Sequence, residues 1–88
     1  MTVFEKVKAA VTTREAAEMY GLNVRSNSMT SCPFHEDHTP SMKLEQRFYC
    51  FGCHARGDVI DFTARLFGIT THDAAVKLSV DFGISEPP

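Results

Sequence analysis

Three cysteines and one histidine form two short-spaced pairs of potential metal ligands. Cys32 and His35 have two residues between them, as do Cys50 and Cys53, and fourteen residues separate the two pairs. Zinc prefers a tetrahedron of Cys sulfur and His nitrogen, and a two-residue gap lets one turn aim two ligands at one ion. These four ligands leave no position for water, so the pattern predicts one structural zinc rather than a catalytic one. Gly52 is expected to take the left-handed conformation inside the second pair.

The other histidines are weaker candidates for the fourth ligand. His38 would leave a five-residue gap after Cys32, and His54 directly follows Cys53, where it would point away from the ion. We expect both to be solvated or hydrogen-bonded loop residues, and His72 to lie on the surface. Three buried free cysteines are the alternative, which we disfavour because unrelated positions seldom give two ligand pairs with equal gaps.

Cations and aromatic residues are interleaved around the second ligand pair. Single-strand nucleic-acid binders combine cations that track phosphates with rings on which bases stack. The candidate contacts are Lys43, Arg47 and Tyr49, followed by Arg56 in the loop after the second pair. Strand alternation puts Arg47, Tyr49 and Phe51 on one face. Phe51 is nevertheless expected in the core, because so small a chain needs its aromatic residues there. The alternatives are that the cations are merely solvated and that Tyr49 also packs in the core.

Helices at both ends and short strands in the middle must position these residues. Helical periodicity covers residues 3–11, and Thr12 with Glu15 reads as a capping box that starts a second helix, ended by Gly21. Asp58 and Thr70 are the expected N-caps of two C-terminal helices. Between them we expect extended segments at Leu22–Arg25, Met29–Cys32, Ser41–Leu44 and Arg47–Phe51, with turns at 26–28 and 45–46. The order predicts an α+β fold.

Length and composition restrict the classes of protein that remain. The chain has 88 residues, 43% of them hydrophobic, and a net charge of −2. It is expected to form one domain whose core is marginal unless a metal or a partner supports it. No apolar run approaches a membrane span, and we expect a cytoplasmic protein with reduced thiols. The acidic balance gives no general attraction to nucleic acid, so any such role needs a local basic patch.

Three runs of this sequence resemble a known family. Residues 32–42 begin C-P-F-H and contain T-P-S-M, residues 48–53 read F-Y-C-F-G-C, and residues 57–62 read G-D-V-I-D-F. Together they resemble the CHC2-type (Cys-His-Cys-Cys) zinc-binding domain of DnaG-type bacterial primases, over about residues 1–86, with 87–88 as a tail. Two features depart from the family: the segment between His35 and Cys50 is shorter, and Met42 replaces an aromatic, which removes one candidate stacking surface.

The resemblance implies a fold, a ligand set and a role. It implies a zinc-ribbon antiparallel sheet flanked by N- and C-terminal helices, with Cys32, His35, Cys50 and Cys53 as ligands. It also implies binding of single-stranded DNA template during primer synthesis. In such primases, synthesis belongs to a separate TOPRIM-type domain with a D-x-D pair. No D-x-D occurs here, and Glu36–Asp37 are adjacent. We therefore expect a non-catalytic module.

The expected partners are single-stranded DNA and a primase catalytic domain or helicase supplied by another chain, as in a mobile-element or phage accessory. One alternative is a zinc ribbon that docks on a primase, helicase or polymerase without touching DNA. Residues 12–22 also resemble the first helix of a helix-turn-helix repressor, but the polar segment that follows is a poor recognition helix.

Overall fold

Four helices and four short strands make up the part of the chain that the computed structural model describes, residues 2–34 and 40–84. The predictions for His35, His38, Glu36–Asp37 and the tail at 87–88 therefore lie outside the described residues. In chain order the elements are α1 (Val3–Ala10), α2 (Thr13–Met19), β1 (Met29–Ser31), β2 (Pro40–Leu44), β3 (Phe48–Cys50), β4 (Arg56–Gly57), α3 (Val59–Phe67) and α4 (Thr71–Asp81).

Side-chain caps begin three of the helices where the sequence predicts them. Thr12 Oγ1 accepts a hydrogen bond from the Glu15 N–H at 3.1 Å, and the Glu15 carboxylate accepts one from the Thr12 N–H at 3.0 Å. Asp58 and Asp61 form the same reciprocal pair ahead of α3. Thr70 caps α4 through its side chain. These bonds satisfy N–H groups that the first helical turn leaves without partners, which confirms the predicted helix starts.

The strands form one antiparallel sheet in the order β1-β2-β3-β4. Its two faces differ in burial, because successive side chains of a strand point to opposite faces. The inner face is buried against the helices and carries Met42, Leu44, Phe48 and Cys50 together with Thr30. On the outer face, one row of paired residues crosses the sheet: Met29, Lys43, Tyr49 and Arg56. The α+β prediction is confirmed.

Two predictions about the strands are wrong. Leu22–Arg25 forms no strand, because its one backbone hydrogen bond to β1 is from the Arg25 N–H to the Met29 carbonyl, directly across the turn at 26–28. Arg56 is not in a loop but begins β4, in which it pairs with Tyr49. A strand of two residues is too short to show the alternation of apolar and polar residues by which strands are predicted.

An aromatic cluster joins the sheet to the helices. The rings of Phe34, Phe48 and Phe62 contact one another edge to face, with centroids 5.5–5.7 Å apart. Met42 is fully buried beside them on the inner face. The residue at position 42 therefore packs in the core, and the expectation that an aromatic here would have offered a stacking surface is wrong.

The turn between β2 and β3 is anchored to the start of α2. Both the backbone N–H and the hydroxyl of Thr13, which is fully buried, donate hydrogen bonds to the Glu45 carbonyl. The turn that carries Arg47 is thus fixed to the helical layer. Within the described residues, no helix combines the length and the apolar character needed to cross a membrane.

Candidate functional site

Three cysteine sulfurs meet at one end of the sheet. The Sγ atoms of Cys32, Cys50 and Cys53 all lie within 4.8 Å of one another, and those of Cys32 and Cys53 are 3.8 Å apart. Two sulfur ligands at about 2.3 Å from a zinc ion in tetrahedral geometry stand about 3.8 Å apart. That distance is far too long for a disulfide, in which the sulfurs are about 2.05 Å apart. The three sulfurs therefore fit one face of a zinc tetrahedron.

Strand ends and a tight turn bring these cysteines together. Cys32 follows the last residue of β1, Cys50 ends β3, and Cys53 lies in the turn before β4. The Cys53 N–H donates to Cys50 Sγ at 3.4 Å, and the His54 N–H donates to the Cys50 carbonyl at 2.8 Å. His54, with φ of 64°, is the left-handed residue of this turn, so the prediction for Gly52 is wrong. The hydrogen-bonded turn therefore spans both ligands of the pair, and its left-handed residue comes directly after the second ligand.

Two of the four histidines, His54 and His72, lie in the part of the chain that the structure describes. His35, the predicted fourth ligand, and its competitor His38 both lie outside the described residues. His54 does not join the sulfur cluster, and its Nδ1 instead forms a 3.0 Å hydrogen bond with the Tyr49 hydroxyl. His72 is exposed at the start of α4, as expected.

Burial controls the electrostatics of the sulfur cluster. Cys32 and Cys50 are buried, whereas Cys53 is exposed. Burial raises the pKa of the Cys32 thiol to about 12; hydrogen bonds with Cys50 and Cys53 act in the same direction, against a backbone hydrogen bond at Phe34. Thiolates here need a nearby cation to offset their charge, and a bound metal supplies one. Ser41 lies at a β-bulge, with its Oγ 3.5 Å from Cys50 Sγ, where it can orient that ligand.

A family comparison agrees with this geometry. Residues 3–87 match the family model of the CHC2 zinc finger. The chain belongs to the CHC2 zinc-finger family. The family, together with the three clustered sulfurs, indicates one structural zinc, which would stabilise the fold.

Two relatives of this CHC2 zinc finger are DNA primases. It is 41% identical to the DNA primase of Rickettsia bellii over 80 residues, which are 88% of this chain and 12% of that protein. It is 45% identical to the DNA primase of Rickettsia conorii over 64 residues, 69% of this chain and 11% of that protein. The chain thus corresponds to about a tenth of the length of these primases.

A solved structure shares the fold. The crystal structure of the zinc-binding and RNA polymerase domains of Aquifex aeolicus primase matches with a TM-score of 0.79 and 28% identity, over 99% of this chain and 23% of that one. This CHC2 zinc finger is therefore related to the zinc-binding part of DNA primase rather than to its catalytic domain.

The residues predicted to contact nucleic acid meet in one groove. Lys43, Arg47, Tyr49 and Arg56 all line an open groove of about 570 Å³ on the outer face of the sheet. Lys43 and Arg56 flank Tyr49 on the two neighbouring strands. Lys43 is ion-paired with Glu45 at 3.0 Å, whereas Arg47 and Arg56 make no ion pair with any described residue. The groove therefore combines three cations, one of them partly neutralised, with an aromatic ring.

The core position predicted for Phe51 is wrong. It is 61% exposed and lies on the same side of β3 as Tyr49, with the two ring centroids 4.9 Å apart. Strand alternation had already placed the two rings on one face, and that signal was correct. The expectation of core packing failed because Phe34, Phe48 and Phe62 already fill the space between sheet and helices.

Proposed function

We propose that this chain is a single-stranded DNA template-binding module of primer synthesis, stabilised by one zinc ion and acting beside a primase polymerase domain. The observation that carries the proposal is the groove in which Lys43, Arg47, Tyr49 and Arg56 converge. An overall charge of −2 would not attract nucleic acid, so a local cluster of cations around an aromatic ring is the feature that binding requires. The relatives, which are DNA primases, support the same role.

The zinc ligands in this proposal are Cys32, His35, Cys50 and Cys53. The three sulfurs support it by their spacing, and His35 follows Cys32 at the gap that a zinc knuckle uses. His35→Ala should lower zinc affinity, while His38→Ala and His54→Ala should retain one zinc per chain and the melting temperature. Metal analysis after dialysis measures this, and loss of zinc from a His38 variant alone would move the ligand to that position.

Titration of a labelled single strand tests the function. The zinc-loaded protein should bind an oligothymidylate of about 12 nucleotides weakly, and better when a primase catalytic domain is added. With three phosphate contacts, the slope of log K against log salt should be about −2, at about −0.7 per contact. Arg47→Ala and Arg56→Ala should each reduce that slope, whereas Arg65→Ala, which removes an exposed arginine of α3 outside the groove, should not.

A docking role without DNA is the second candidate, and a group of exposed apolar side chains favours it. Met19, Phe67, Val76 and Val80 are 41–72% exposed on the helices, away from the groove. If the wild-type protein binds no single strand at low salt, with or without the catalytic domain, the DNA-binding proposal is lost. Binding to the catalytic domain alone would then support docking.

A further inference from the structure

An exposed aromatic ring lies beside the groove, between Tyr49 and the zinc turn, and has no part in the core. Phe51 is 61% exposed, and its only ring neighbour among the described residues is Tyr49. It occupies the position between Cys50 and Cys53, two of the clustered sulfurs. Its backbone is fixed as well, because the Phe51 N–H donates to the Ser41 carbonyl at 2.8 Å. The ring is thus presented to solvent from a rigid turn.

The groove residues surround Tyr49 in a defined pattern. Arg47 directly precedes β3 and lines the same groove as Tyr49, and Phe51 directly follows β3, with its ring centroid 4.9 Å from that of Tyr49. Across the sheet, Lys43 and Arg56 lie on the neighbouring strands, about 4.8 Å from Tyr49 in the backbone. Cations therefore occupy three sides of Tyr49, and Phe51 occupies the fourth. The charged end of this surface lies at the β2–β3 turn, and its uncharged aromatic end lies at the zinc turn.

Tyr49 and Phe51 differ in how much of each ring is accessible to an incoming base. The Tyr49 hydroxyl is held by His54 Nδ1 at 3.0 Å, and its ring packs at 64° against Phe51 and near the His54 ring. Tyr49 is only partly exposed. Phe51 therefore has the more accessible face, and Tyr49 with His54 supports it from one side. A ring held in place before binding loses little conformational entropy when a base stacks on it.

We infer that Phe51 is the base-stacking platform of this module, and that it takes an unpaired base of the strand whose phosphates contact Lys43, Arg47 and Arg56. The inference rests on the proposed function, and it places the stacked base on Phe51 rather than on Tyr49. It also makes the site selective for single strands, because the bases of a duplex have no free face to stack. Stacking tolerates every base, so the site should show little sequence preference.

Substitutions of Phe51 test the platform directly. Phe51→Ala should weaken binding of the zinc-loaded protein to oligothymidylate by about 5- to 150-fold, the range expected for one stacked base. Phe51→Leu, which stays apolar but lacks a flat ring, should lose most of the same affinity, and Phe51→Tyr should keep it. The salt slope should be unchanged in all three, because no phosphate contact is lost. Val80→Ala, a truncation at an exposed apolar residue of α4, is the control.

A spectroscopic readout is available because the chain contains no tryptophan. Phe51→Trp introduces a single reporter, whose fluorescence should be quenched by oligothymidylate and much less by an abasic strand of the same length. One outcome separates the two proposals: the wild-type protein binds the strand, Arg47→Ala weakens that binding, and Phe51→Leu leaves it unchanged. The inference about Phe51 is then wrong, and the proposed function stands. If the wild-type protein binds no single strand, both are wrong.

Discussion

The two faces of the sheet differ sharply although the same strands supply both. On β3, Phe48 and Cys50 are at most 1% exposed and join the aromatic core and the sulfur cluster. Tyr49 between them faces the open groove, and Phe51 just beyond them is mostly exposed. A shift of one position along the strand thus moves a side chain from the buried core to the face on which we propose that DNA binds. Substitutions on the inner face should affect stability, and those on the outer face should affect binding.

Loss of the metal should have the largest effect, because the ion would join Cys32 after β1 to Cys50 and Cys53 around the β3–β4 turn. Chelation at neutral pH, or Cys50→Ser, should lower the melting temperature sharply. Structural zinc contributes about 10–16 kcal/mol of apparent binding free energy in zinc-finger peptides. Circular dichroism with metal analysis measures both changes. Added zinc should restore the wild-type protein but not the variant.

A chelated protein with an unchanged melt would contradict the structural role of the metal. Acidification gives an independent check. The cysteine ligands, and His35 as the proposed fourth ligand, must be deprotonated to bind zinc, so zinc should be released as the pH falls, and the cooperative melt should be lost with it.

Phe48 and Phe51 offer a matched pair of substitutions on opposite faces. Phe48→Ala should lower the free energy of unfolding by about 3–5 kcal/mol, because Phe48 is buried against Phe34 and Phe62. Phe51→Ala should change it by no more than about 0.5 kcal/mol, because an exposed ring has little packing to lose. Denaturant titration of the zinc-loaded proteins measures both. Equal losses of unfolding free energy would mean that the outer face stabilises the fold as much as the inner face does.

The sequence predicted only in part which residues lie on the buried face and which lie on the exposed face. Cysteine spacing and capping boxes are local patterns, so the grouping of Cys32, Cys50 and Cys53 and the starts of α2, α3 and α4 could be predicted. The position of Phe51 depends on whether other rings fill the core, which is a property of the assembled fold. Arg56 belongs to a strand of two residues, too short for alternation to show. The left-handed backbone at His54 follows from how β4 returns to β3.

Replacing Thr13 should lower stability less than replacing Phe48, and it should also affect the groove. Thr13→Val removes the hydroxyl bond to the Glu45 carbonyl but keeps the backbone bond, so we expect a loss of about 0.5–1.5 kcal/mol in unfolding free energy. Thr13→Ser should restore it. Because this contact holds the turn that carries Arg47, the valine variant should also bind oligothymidylate more weakly at 25 °C, where it remains folded. A loss of stability with unchanged binding would show that the turn keeps its position without the hydroxyl.

The smallest effect concerns the ion pair at the edge of the groove. Lys43 Nζ lies 3.0 Å from a Glu45 carboxylate oxygen, and both side chains are more than half exposed. Such a pair contributes about 0–1 kcal/mol to stability, so neither Lys43→Ala nor Glu45→Gln should shift the melt appreciably. Binding a phosphate exchanges one anion for another at Lys43, whereas Arg47 and Arg56 make no ion pair with described residues. Lys43→Ala should therefore reduce the salt slope by less than the roughly 0.7 expected for either arginine.

Glu45→Gln sharpens this test because it removes the competing carboxylate and keeps the backbone carbonyl that Thr13 contacts. It should strengthen oligothymidylate binding at low salt and make the salt slope steeper, since Lys43 is then available to a phosphate. In the double variant with Lys43→Ala, that gain should disappear, because the cation that Glu45 restrained is absent. If Glu45→Gln strengthens binding equally with and without Lys43, the carboxylate acts by general repulsion of the strand. Lys43 would then be a solvated cation on the outer face, and the phosphate contacts would reduce to Arg47 and Arg56.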